Sequence, residues 1–209
     1  MPDHAVNAPL EYVNSAIAVH GADALTDLLP TSGAINAAAA TLYNRRVDIL
    51  LTKWHWNFAT RDFALSQLAD APPSPWIAQY NLPAYTLKVL GTDIPGEDYD
   101  LAANHDPSDT DGIRRLYAMR TGVRARVIVR PLDELFPTHF IDALVADLAA
   151  WLSKPITGQS DPVLFAEARG ILAEAKLIDA SEKPTRAFYQ RDPRGPSGRR
   201  LLVGQDFDD

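Results

Sequence analysis

Residues 43–58 read YNRRVDILLTKWHWNF, and the fold turns on how this stretch is understood. Leu42, Arg46, Ile49, Leu50 and Lys53 follow helical spacing. Ile35, Ala38, Ala39, Leu42, Val47, Leu50, Leu51 and Trp54 share one broad apolar side, the mark of an amphipathic helix. Arg45, Arg46, Asp48 and Lys53 are left mostly for water on this reading. Trp54, Trp56 and Phe58 then gather three large rings within five residues, a structural aromatic knot. Each ring, once buried, contributes roughly 2–3 kcal/mol of transfer free energy. Such residues belong where elements meet.

Upstream, Leu10, Val13, Ile17 and Val19 predict a short helix ending near Gly21, after a disordered start over residues 1–8. Pro30, Thr31 and Ser32 predict a loop closing on an N-cap at Thr31 or Ser32. Downstream, residues 60–69 fit a helical turn or a strand, and Pro72, Pro73 and Pro75 interrupt regular structure. Residues 85–90 alternate like a strand, and residues 98–102 suggest another. Residues 113–119 and 123–130 predict a hairpin around Arg120-Thr121-Gly122. In its second strand Val123, Ala125, Val127 and Val129 share one face, and Arg124, Arg126, Ile128 and Arg130 the other.

Helices return after Pro131. Thr138 is the expected N-cap of one that is apolar on nearly all sides and stops at Pro155. Asp161-Pro162 signals the start of another, a carboxylate cap followed by Pro at the first helical position. The predicted architecture is α+β. A helical bundle (about 8–20, 33–54, 138–153 and 161–181) carries a small antiparallel sheet over about 77–130. Residues 1–182 form the folded domain and 183–209 an extended C-terminal arm.

The 209 residues suffice for a core of ordinary size, with 46% hydrophobic and 22% charged residues. A formal charge of -7 argues against an electrostatic nucleic-acid binder. The absence of cysteine excludes disulfides, zinc–thiolate sites and thiol catalysis. The N-terminus lacks the pattern of a signal peptide, and no uncharged run is fit to cross a membrane.

Motifs with chemistry are scarce. Asp106 to Gly112 resembles a calcium loop, but two key ligand positions fail, so a solvated acidic loop is expected. His4, His20, His55, His105 and His139 lack metal-ligand spacing, and phosphate-binding loops and nucleophile elbows are missing. No catalytic, metal or cofactor site is therefore assigned. His55, between Trp54 and Trp56, reads as a structural histidine in the aromatic knot. Arg124, Arg126 and Arg130 read as the wet face of a half-buried strand or as an interface. The arm is the sharper signal. Arg186, Arg191, Arg194, Arg199 and Arg200 supply charge, and Phe188, Tyr189, Leu201, Leu202, Val203 and Phe207 supply anchors for a docking peptide.

The helix leading into Trp54-His55-Trp56-Asn57-Phe58-Ala59, followed by a Pro-rich turn and Tyr80-Asn81-Leu82-Pro83 to Val89, resembles the head-to-tail adaptor of short-tailed phages, also called tail tubular protein A. The likeness spans roughly residues 8–180. It departs at His55, where the family has Pro, and at Tyr85, where the family has Asp; both are turn positions. The resemblance implies a structural virion protein without catalysis or cofactor. Such adaptors form a ring, commonly a dodecamer, between the portal protein and the tail nozzle, and genomic DNA passes through the lumen. The arm would then dock on the portal, and Arg124, Arg126 and Arg130 would lie at a subunit or tail-protein interface. A tail-completion or stopper protein is the nearest alternative. A small hydrolase built from carboxylates around His55, or a regulatory nucleic-acid binder, would be the alternatives from other classes.

Overall fold

The computed structural model describes residues 8–83, 85–103 and 114–182. The acidic loop at 106–112 and the arm at 183–209 lie outside them. The chain is α+β. Among the described residues the helices are α1 (Ala8–Ala18), α2 (Ala34–Lys53), α3 (Thr138–Thr157) and α4 (Pro162–Glu182). Between α2 and α3 run β1 (Thr60–Ala64), β2 (Ala78–Asn81), β3 (Thr86–Thr92), β4 (Tyr99–Ala103), β5 (Arg114–Ala118) and β6 (Arg124–Val129).

The strands form two three-stranded antiparallel sheets rather than one, ordered β1-β6-β3 and β2-β5-β4. The expected hairpin of residues 113–130 does not form. β5 and β6 follow each other in sequence but enter different sheets, and β6 pairs with β1 and β3. The reason lies in burial on both sides of β6. Ile128 joins the helical core, while Val123, just before the strand, joins a second core with Leu65 and Val89. The first sheet is thus a middle layer. It presents Ile128, Leu87 and Leu90 to the helices and Leu65 and Val89 to the second sheet, where Tyr80, Leu116 and Ala118 are fully buried.

In the helical layer α3 is the hub, with α1, α2 and α4 packed around it. Phe140, Ala143, Leu144, Leu148 and Leu152 of α3 are buried, in keeping with its apolar character on nearly all sides. The start of α4 is as expected: Asp161 Oδ1 accepts the Val163 N–H at 2.8 Å. Two other expected caps are absent. Pro30–Ser32 is a short 3-10 turn and Gly33 caps α2, whereas Thr138 is the first residue of α3 and Pro137 its cap. Pro155 does not stop α3. Only the last turn loses its hydrogen bond, and Gly158, at φ 82°, closes the helix by donating to the Lys154 carbonyl at 3.0 Å.

Arg46 is the largest correction to the amphipathic reading of α2. It is buried, and its guanidinium meets Asp147 of α3 in a two-pronged ion pair at 2.6 and 2.7 Å. The guanidinium also lies 4.7 Å from the centre of the Trp151 ring. A planar fork with both ends satisfied can be buried where an unpaired charge cannot.

Candidate functional site: the aromatic loop and its clamp on α4

After Lys53 the backbone turns extended at Trp54, at φ -143° and ψ 159°. The chain then folds back over the end of its own helix. The Trp56 indole N–H donates to the Leu50 carbonyl at 2.8 Å, satisfying one of the acceptors that a helix end exposes. The Thr60 N–H and hydroxyl both donate to the Trp56 carbonyl, at 2.9 and 2.7 Å. The loop is therefore tied to the end of α2 and to itself before it meets another element.

The aromatic knot forms with different members from those expected. Trp56 is fully buried and meets Phe58 at 6.0 Å and Phe140 at 5.1 Å between ring centres. Phe136 joins Phe58 and Phe140 at 6.1 and 4.9 Å. Trp54 faces elsewhere. Its indole donates to Asp179 Oδ2 at 3.3 Å, and Lys176 Nζ lies 5.5 Å from its ring centre. The histidine of the knot is His139, stacked on Trp56 at 6.1 Å, not His55, which is exposed. Partial burial, and to a lesser degree the nearby Lys88, holds the His55 imidazole below its ordinary pKa.

Asp179 ties the loop to α4. Its Oδ1 accepts the Asn57 backbone N–H at 3.0 Å, and its own carbonyl accepts the Asn57 side-chain amide at 2.5 Å. The carboxylate is almost fully enclosed. Burial pushes its pKa above the ordinary Asp value, while the donors from Asn57 and Trp54 pull the other way. Beside it, His139 Nε2 stands 4.0 Å from Asp179 Oδ1, and His139 Nδ1 stands 3.8 Å from Glu182 Oε1. A groove of about 340 Å³ between α3 and α4 runs past His139, Asp142, Glu174 and Ile178.

The arginine row is largely engaged within the chain. Arg126 forks onto Asp62, its direct cross-strand neighbour, at 2.7 and 2.8 Å. That carboxylate raises the Arg126 pKa. Arg130 reaches across to α2, donating to Asp48 at 3.2 Å and Asn44 at 2.8 Å. Arg124 is exposed. The row shares a face with Ile128, so this face of β6 is wet at one end and packed on helices at the other.

His139 and Asp179 are forty residues apart in sequence, so no local motif announces their meeting. The only advance signal was the pairing of elements: a histidine in the first turn of one helix of an antiparallel pair, and acidic residues in the last turn of the other. The chain matches no protein-family model and no curated protein sequence.

Proposed function

We propose that this chain is a structural head-to-tail adaptor of a virion, assembled as a ring between a portal protein and a tail nozzle, with DNA passing through its lumen. One observation carries the reading. α4, twenty-one residues long, packs chiefly along α3 and leaves Val163, Leu177 and Ile178 exposed at 69%, 73% and 40%. Large apolar residues left open along an outer helix are what a neighbouring protein would cover. α4 also leads directly into the segment whose arginines and aromatic anchors read as a docking peptide.

Two further features support it. The loop resembling the adaptor box, Trp54 to Ala59, is a rigid joint between helical and sheet layers, suited to transmitting load rather than turning over substrate. The formal charge of -7 would let DNA slide without binding. No helix among the described residues is long and apolar enough to cross a membrane. The reading as a hydrolase around His55 draws no support from this geometry, because the described groove lies instead beside His139.

The arm is the first part to test. Removing residues 184–209 should abolish binding of the chain to purified portal rings while leaving its thermal unfolding unchanged. Undiminished binding would end the docking role.

A further inference from the structure

We propose that His139, Asp179 and Glu182 form a binding site for a divalent transition-metal ion of the zinc class, at the point where the last turn of α4 meets the start of α3. One ligand atom from each of the three residues lies within 4.8 Å of the others. Tetrahedral zinc with N and O ligands holds neighbouring donors about 3.4 Å apart, so a contraction of at most about 1.4 Å completes the set.

The imidazole supplies the independent sign that something belongs there. Its side chain is 8% exposed, and Nε2 is buried without a hydrogen-bond partner. A buried ring nitrogen left unpaired is costly, and a metal ion at Nε2 would satisfy it through the single lone pair of the neutral imidazole. The other two ligands have complementary mobility. Asp179 is fixed by the Asn57 N–H and the Trp54 indole, the kind of outer contact that orients a metal ligand. Glu182 is 53% exposed and free to swing inward.

The local field favours a cation. Asp142 and Glu174 face the adjoining groove, and the last turn of α4 contains no basic residue. The helix ends that meet here carry opposite partial charges, so the carboxylates dominate. The donor set of one imidazole and two carboxylates leaves a fourth position for water, or for a ligand from a neighbouring chain. An ion there would staple α4, α3 and the aromatic loop together directly before residue 183. This inference does not depend on the adaptor reading.

Zinc titrated calorimetrically into the untagged full chain tests it, alongside Glu182→Gln and His139→Gln. We expect saturable binding of one ion per chain, weakened at least roughly tenfold by E182Q and abolished by H139Q. Zinc should raise the unfolding temperature of the unaltered chain more than that of E182Q. Should H139Q fail to fold, E182Q decides alone, since Glu182 is half exposed. Absence of saturable binding, or binding undiminished in E182Q, would overturn the proposal.

Discussion

Asn57 and Asp179 hold each other through two hydrogen bonds, backbone N–H to carboxylate at 3.0 Å and side-chain amide to carbonyl at 2.5 Å. This pair joins the loop that follows α2 to the far end of the chain's last described helix. Asp179→Ala would strand the Asn57 N–H and the Trp54 indole in a partly buried setting. A loss of about 2–3 kcal/mol follows. Urea unfolding should report it, together with a red shift in tryptophan emission as Trp54 loosens. Unchanged stability would show that the clamp carries little.

The same carboxylate gives a pH signature. Burial raises its pKa in the folded state, so between the unfolded and folded pKa values the folded chain holds more protons. Stability therefore falls as pH rises through that window, and the cost of the buried charge is fully present above it. Relative to Asp179→Asn, the unaltered chain should gain stability as pH is lowered from neutral through the folded pKa. Parallel stability curves for the two proteins would contradict this.

Arg46 and Asp147 make a different prediction, because both partners are buried to a similar degree, 9% and 14% exposed. Removing one leaves the other charged and unpaired. Arg46→Ala should cost about 3–5 kcal/mol, whereas the double change Arg46→Met with Asp147→Leu should be near neutral. Chemical denaturation of the single and double variants measures the difference.

Tyr85 sits at φ 62° and is 78% exposed. A side chain in the left-handed region is strained, and here no burial offsets the strain. Tyr85→Asn, which tolerates that backbone better, should stabilise the chain by about 0.5–1 kcal/mol. A drop in unfolding temperature would mean that the ring makes a contribution its exposure conceals.

These contrasts also mark what could be read from sequence. The α2, α3 and α4 spans were legible because helical spacing and the Asp161-Pro162 start are local properties of the chain. The sheets were not, because the hairpin reading of 113–130 assumed that neighbours in sequence pair. Burial of β6 on both faces separates β5 from β6 instead. Arg46 was assigned to water because charge usually is, and its partner lies about a hundred residues away. The aromatic knot was legible as a feature but not in its membership. Trp54 turns to Asp179, and Phe136, His139 and Phe140 arrive from the start of α3 and the turn before it, after all the strands in sequence. Clustering of His139 with Asp179 depends on the packing of α3 on α4, which spacing within either helix could not disclose.

The central claim, a ring of these chains at a portal, is tested most directly by the mass of the complex formed when the full chain is added in excess to purified portal rings. The account predicts saturation at a fixed, ring-sized number of chains per portal, dodecameric if the family likeness holds. A portal whose mass stays unchanged at saturating chain would contradict it.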